Sequence, residues 1–403
     1  MLNKEGQREL CYIVKIDDVT PIEGYDRVEL AHVSGWTVVV GKNSLHAGDL
    51  ALYFEIDSKL PQVKPFTDME FLAKKKFKIK TQKMCGVYSQ GLLMSAEDFG
   101  GEVYQDSDGQ FYFHINGKSY VEGDFLTKDL GITYAVAEDN TRKAKKVDKY
   151  QRMSQRLGKK AARPWYKWLY KRNWGKVLLF ALYGKSGDKS HKWPSHICSK
   201  TDVERIQNMP FILNDKQEFV ATEKVDGSSC TFAAELGHFG RIDYYVCSRN
   251  VVFKDETQKC YYDSNIYFEM YNKYGIKDIL TVMLKDLGLS NIAIQCEVYG
   301  AGVQKRDYSI DEHKIAVFHI VSNREKFSMD KVIELTEKYG LPHVPIIDEN
   351  YIFPDTIEEV QDFVESAPSM LDGKIKEGIV FYDKATGQTY TKFVSPKYLL
   401  KYH

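Results

Sequence analysis

No Cys-x-x-Cys pair occurs among the seven cysteines of this 403-residue chain, Cys11, Cys85, Cys198, Cys230, Cys247, Cys260 and Cys296. An odd, scattered set argues against a disulfide framework or a zinc ribbon and predicts free thiols, mostly buried. His191, His196 and Cys198 lie close together, but without a second cysteine pair a metal site there is the weaker reading. The chain also lacks any run near the roughly 18 apolar residues of a membrane span. Its N-terminus has no basic, apolar, small-residue signal pattern, so cytoplasmic residence is expected. Net charge is missing too, with 56 Lys and Arg against 56 Asp and Glu.

That balance hides an asymmetry. From Asn140 to Trp193 there are 17 Lys or Arg against two acids, Asp148 and Asp188, which leaves 39 against 54 elsewhere. A basic middle therefore joins more acidic flanks. The length allows two or three domains, and 43% hydrophobic residues suffice for a globular core.

The first 130 or so residues read as short strands at Cys11–Ile16, Val28–Val33, Thr37–Val40, Asp49–Ile56, Lys76–Lys80 and Gly91–Met94. Glycine and proline punctuate them and no long helical pattern intervenes, which predicts a small barrel. Alternation over Phe77–Lys83 predicts Lys78 and Lys80 on one strand face, with Lys83 just beyond. Beside Tyr88, that face suits nucleic-acid phosphates and stacking; a lysine-defended edge strand is the plainer reading.

The middle turns from a polar, basic, helix-forming stretch at Arg142–Arg163 to the aromatic Pro164–Arg172 and the apolar Trp174–Tyr183. An RNA clamp, a membrane-surface helix and a packed helical linker are all compatible with it; a packed linker with some RNA contact is the preferred reading. Thr201 with Glu204, and Thr356 with Glu359, read as capping boxes that open helices. Ile266–Leu287 and Ser328–Tyr339 are helical by spacing.

The second half holds the chemistry. Glu218–Ala221 alternates like a strand and runs into Thr222-Glu223-Lys224-Val225-Asp226-Gly227-Ser228-Ser229. Alone, that octapeptide reads as a hairpin turn, because Asp-Gly is a common hairpin signal. A nucleophilic reading requires the Lys224 amine to be deprotonated by burial, neighbouring cations or metal. Its companions decide. Arg249 follows a strand at Tyr244–Cys247. Glu297 ends the apolar run Asn291–Gly300, and Phe318 lies in the strand Lys314–Ile320. Glu377 opens Gly378–Phe381, and Lys392 sits in Tyr390–Val394. A carboxylate at a buried strand end is costly unless it meets a metal, a hydroxyl or a cation.

Lysine, arginine, glutamate, phenylalanine, glutamate and lysine in that order resemble motifs I, Ia, III, IIIa, IV and V of the covalent nucleotidyltransferases. These comprise DNA ligases, RNA ligases and mRNA capping enzymes. The front segments, with Lys78-Ile79-Lys80-Thr81 and Ser89-Gln90-Gly91-Leu92, resemble the OB-type module of the Deinococcus/Naegleria-type RNA ligases. Cys85 stands where that pattern has arginine. Motif V carries a single lysine where a Lys-x-Lys pair is common. Ser228-Ser229 replaces the arginine that follows motif I in DNA ligases and capping enzymes, which favours an RNA ligase.

The resemblance implies an α+β chain. It would have an OB-like β-barrel at residues 1–132; the resemblance leaves out roughly residues 133–190, and composition alone reads 133–192 as a basic, aromatic-rich helical linker. An ATP-grasp-like nucleotidyltransferase domain of antiparallel sheets with flanking helices would occupy 193–403. Eleven residues follow Lys392, too few for the OB domain that comes after motif V in DNA ligases and capping enzymes, so the front barrel would supply nucleic-acid contacts.

By the same resemblance Lys224 would attack ATP and form lysyl-adenylate, and Lys392 would assist. Glu223 would read adenine, Glu297 the ribose or metal waters, and Phe318 would stack on the base. Arg249, Glu377 and Lys392 would complete the nucleotide site. Asp226, Glu297 and Glu377 would hold Mg²⁺ or Mn²⁺ through water, and Lys78, Lys80 and Lys83 would bind RNA. The expected protein is an ATP-dependent RNA ligase, a monomer that seals 3′-OH/5′-phosphate nicks in duplex RNA or RNA–DNA hybrid. The alternatives are an mRNA capping guanylyltransferase and an inactive RNA-binding adaptor.

Overall fold

The structure is a computed structural model that describes residues 1–3, 7–135, 163–183, 192–214, 216–384 and 386–402. It divides into two compact units, one formed by residues 1–135 together with 194–403, the other by 136–193. Every ladder between named strands is antiparallel.

The N-terminal strands wrap a single core. Cys11–Lys15, Leu50–Phe54 and Leu92–Met94 form one sheet, while Asp18–Ile22, Tyr25–Val33 and Trp36–Gly41 form a meander. Trp36, Tyr53, Phe54, Phe66 and Phe113 fill the space between them, all buried. Tyr53 lies so close to Gly91 that a Cβ there would meet its ring at 2.3 Å, and Gly91 holds φ +128. Only glycine meets both demands.

One expected strand is absent. Lys76 and Phe77 adopt left-handed φ of 54 and 58 after a short helix, Glu70–Lys74. Lys78 makes only an isolated bridge to Lys59, so Lys78 and Lys80 do not share a strand face. The alternation that suggested a strand comes from Phe77 and Ile79 anchoring a turn in the barrel core.

Two sheets make the C-terminal part. The four-stranded sheet runs Ile346–Tyr351, Phe219–Lys224, Gly378–Asp383, Thr389–Val394. The six-stranded sheet runs Val252–Phe253, Ile242–Ser248, Ser228–Leu236, Asn291–Gly300, His313–Ser322, Glu325–Lys326. Helices Ile266–Lys273, Ile276–Asp286 and Met329–Tyr339 bury one apolar stripe each with the larger sheet. Val360 and Val364 of helix Ile357–Ser366 join the core of the smaller one.

Helix signals divide in their outcome. Thr356 and Glu359 form the reciprocal capping box that starts Ile357–Ser366. Thr201 and Glu204 do not start a helix: the chain stays extended until a single 3-10 turn at Ile206–Asn208. There the Glu204 carboxylate accepts instead from the Arg205 and Leu2 backbone and from the Asn208 amide. The long helix expected over 266–287 breaks in two, because Gly275 adopts φ +60.

In the unit 136–193, helices Pro164–Tyr170 and Asn173–Tyr183 are described, while the basic stretch 142–162 lies outside the described residues. The Arg172 guanidinium lies 3.8 Å from the Trp168 ring centroid. Among the described residues no helix is long and apolar enough to cross a membrane. All seven cysteines are free, five of them buried. His196 pairs with Glu235 at 2.8 Å, and His191 lies outside the described residues.

Candidate active site

The lysine turn is a crossover. Phe219–Lys224 pairs with Gly378–Asp383 and Ile346–Tyr351, whereas Ser228–Leu236 pairs with strands of the other sheet. Val225, Asp226 and Gly227 therefore carry the chain from one sheet to the next, not back along a hairpin. Gly227 is required for space: a Cβ would stand 2.3 Å from the Val298 carbonyl oxygen.

Between the sheets lies a cleft of about 410 Å³. Glu223, Lys224, Asp226, Arg249, Glu297, Phe318, Glu377 and Lys392 all line it, brought together from 170 residues of sequence. The smaller sheet and the segment leading into it supply Glu223, Lys224, Glu377 and Lys392. The larger supplies Glu297 and Phe318, with Arg249 just past the end of Ile242–Ser248. Lys78, Lys80 and Lys83 do not line it.

The Lys224 amine sits 2.7 Å from Glu377 Oε1. Burial works to lower its pKa, yet the carboxylates of Glu377 and Glu297 outweigh burial and hold the ammonium above its ordinary range. Neighbouring cations were one expected route to a free amine, but here the nearest charges are anions. Glu377 is itself pushed up by burial against the pull of Lys224, and its Oε2 is buried without a hydrogen-bond partner. Burial, with Glu377 and Asp226 nearby, raises Glu297 to about 8 despite Lys224.

Lys392 moves the other way. Burial, reinforced by Arg8, Arg205 and Lys224, brings it down to about 7. Arg205 is 5% exposed, donates to Asp57 at 3.2 Å and leaves Nε and Nη1 unpartnered. Its backbone bridges Lys392.

Glu223 is buried and pushed up by that burial, while its carboxylate accepts from Ser369 Oγ and, at 2.8 Å, from the Met370 amide. Arg249 extends to Asp202 at 2.5 Å. Phe318 is half-buried, its ring edge-on to His319 with centroids 5.1 Å apart. Asp226 is pinned from two sides: its amide donates to Tyr308 Oη at 2.8 Å and its Oδ2 accepts from Tyr398 Oη. In the barrel, Lys80 is held down by burial and by Lys305 and Lys78, and Lys83 lies 5.8 Å from the Tyr88 ring.

Sequence reasoning missed Tyr308, Tyr398 and Arg205. Tyr398 follows Lys392 by six positions, beyond the last strand read from the sequence, and lies in the helix Pro396–Tyr402. Arg205 could have been flagged only by its place beside the capping-like Glu204.

Among the described residues no three His, Cys, Asp or Glu side chains converge closely enough to ligate an ion directly. The three carboxylates Asp226, Glu297 and Glu377 nevertheless crowd the cleft, one with an orphaned buried oxygen and two with raised pKa. That electrostatic demand fits a hydrated divalent cation.

Comparison with known proteins places this geometry. A family model described as OB-fold domain matches residues 10–96, and one described as RNA ligase matches residues 217–403. No curated protein matches the chain by sequence. Among solved structures, a Naegleria gruberi RNA ligase mutant with ATP and Mn superposes with a TM-score of 0.71 at 23% identity, covering 98% of this chain and 99% of that one. The same enzyme with PPi gives 0.70 at 24%, over 98% and 99%. An apo mutant gives 0.70 at 24%, over 98% of both chains. The antiparallel strand order, the cleft between the sheets and the two matching models agree: residues 217–403 belong to the RNA ligase family and stand behind an OB-fold domain at residues 10–96.

Proposed function

We propose that the chain is an ATP-dependent RNA ligase that seals 3′-OH/5′-phosphate breaks in duplex RNA or RNA–DNA hybrid, acting as a monomer. One observation carries this reading: a lysine amine 2.7 Å from a carboxylate, in a cleft lined by all six motif residues of an RNA ligase family domain. The Naegleria enzyme, solved with ATP and Mn, supports ATP as substrate and a divalent ion as companion.

In the first step the Lys224 amine attacks the α-phosphorus. A P–N bond forms and the P–O bond to pyrophosphate breaks. The proton that must leave Lys224 has Glu377 Oε1 as its nearest acceptor. Lys392 and Arg249 offset charge on the phosphates, with Lys392 sheltered from water. Phe318 stacks on adenine and Glu223 faces its edge. Asp226, Glu297 and Glu377 would hold the Mg²⁺ or Mn²⁺ as a hydrated ion. When bound, that ion neutralises phosphate charge and draws Lys224 towards its free-amine form. A 5′-phosphate oxygen of the RNA then takes AMP from Lys224, and a 3′-hydroxyl displaces AMP to leave a phosphodiester. Lys78, Lys80 and Lys83 hold the RNA strands.

Incubation with α-labelled ATP and Mn²⁺ tests the reading. Label is expected on the unaltered protein, lost on adding excess pyrophosphate and absent from Lys224→Ala. Label from GTP but not ATP would instead indicate a capping guanylyltransferase. RNA binding without any label would indicate an adaptor.

A further inference from the structure

A second cavity, of about 480 Å³, is lined by the end of helix Ile357–Ser366, the loop 367–376 and the helix Pro396–Tyr402. Four lysines reach its wall, Lys374, Lys376, Lys397 and Lys401, against one acid, Glu365. Two of the lysines are already engaged. Lys397 pairs with Glu365 at 3.0 Å, and Ser395 Oγ donates to the same carboxylate at 2.7 Å. Lys374 donates to the Asp307 carbonyl at 2.9 Å and to Ser309 Oγ at 2.7 Å.

Lys376 and Lys401 have no carboxylate within ion-pair distance among the described residues. Lys376 is only 3% exposed. The acid whose charge reaches Lys376 is Glu223, and that carboxylate is already held by Ser369 Oγ and the Met370 amide. An ammonium taken out of water without a directly paired carboxylate is costly, and an anion in the cavity offsets that cost.

The position of the cavity selects the anion. Lys376 is the immediate neighbour of Glu377, and the Ser395 amide donates to the Glu377 carbonyl at 2.9 Å. The segments 374–377 and 392–397 therefore serve the nucleotide cleft with Glu377 and Lys392 and the cavity with Lys376 and Lys397. On its barrel side, the Tyr88 phenol, raised by its burial, feels the charges of both Glu365 and Lys397. Tyr88 belongs to the hairpin Gln82–Ser89 that presents exposed Lys83. Tyr88 itself lines a neighbouring cavity with Glu358 and Asp362 of the helix Ile357–Ser366.

We propose that this cavity binds a phosphodiester group of the RNA strand beside the break, with Lys376 and Lys401 as its cations and the Lys83–Tyr88 hairpin continuing the strand's path. The proposal rests on the RNA ligase reading. It adds a substrate site outside the nucleotide cleft, built from the last turn of one helix and from the chain beyond the final motif lysine.

Lys401→Glu, at an exposed position, and Lys376→Met test it in the full chain. Both variants should form labelled lysyl-AMP as the unaltered protein does. Each should bind nicked RNA about three- to tenfold more weakly and lose about 0.7–0.9 from the slope of log affinity against log salt, the value for one phosphate contact. Sealing of pre-adenylated RNA should fall in step. Unchanged affinity and slope in Lys401→Glu would overturn the cavity, as would loss of lysyl-AMP together with an unchanged slope. Failure of the unaltered protein to label with ATP overturns the ligase reading instead, and the RNA-affinity comparison then still judges the cavity.

Discussion

Lys224 and Lys392 share one cleft yet titrate in opposite directions, and the difference lies in their neighbours. Lys224 faces Glu377 and Glu297; Lys392 faces Arg8, Arg205 and Lys224 itself. A base whose folded pKa is about 7 against an ordinary 10.5 binds fewer protons folded than unfolded between those values. Stability therefore rises with pH across that window, and the penalty for burying Lys392 charged is greatest below pH 7. Lys392→Met should accordingly raise unfolding stability at pH 6 by roughly 2–5 kcal/mol while changing little at pH 10.5. It should also cut adenylylation by on the order of 10²-fold. Denaturant melts at the two pH values check the first part, and labelling with ATP the second.

At the scale of elements, strands that pack into a core were legible and turns were not. Asn291–Gly300 can be read from its apolar run because strand pairing runs along it and burial acts on all but Asn291 and Glu297. Lys76–Lys80 misleads, since two core anchors at alternate positions mimic a ladder that never forms. The two capping patterns make the same point. Thr356 and Glu359 face only each other, whereas Glu204 is claimed by groups up to 202 residues distant, which no local pattern encodes.

The lysine crossover is the sharpest instance. Its residues can be read, but its path from one sheet to the other depends on partners more than 60 residues downstream. Gly227→Ala probes that path. The new methyl must displace the Val298 carbonyl, so a loss of about 1–3 kcal/mol is expected, together with slower lysyl-AMP formation. Thermal melts and labelling rates measure both. Lys224 and Glu377 stand out because each is a charged group at the edge of an apolar strand, while Arg249, Glu297, Phe318 and Lys392 stand out by their order after Lys224. Tyr308 and Tyr398 do not, because a tyrosine that donates or accepts a hydrogen bond looks the same in sequence as one that only packs.

For the molecule as a whole, the barrel and the C-terminal sheets share packing and hydrogen bonds. Val394 and Leu399 join the barrel core. Asn208 Oδ1 accepts from Trp36 Nε1 at 2.6 Å and from Tyr12 Oη at 3.2 Å, and Gly35 N donates to the Gln207 carbonyl at 2.8 Å. Asn208→Ala leaves two largely buried barrel donors without that acceptor, a loss of about 1–3 kcal/mol. A single melting transition at lower temperature is the expected calorimetric result. Two separated transitions would show that the barrel and the sheets do not unfold together.

The crossover has a mechanical corollary. One wall of the cleft, with Lys224, Glu377 and Lys392, belongs to the smaller sheet, and the other, with Glu297 and Phe318, to the larger. On the proposed reading, a nucleotide joined to Lys224 and stacked on Phe318 would span that seam like a keystone. The adenylated protein would then be a braced form of the fold, and handing AMP to the RNA would remove the brace at the moment the strand must be positioned for sealing.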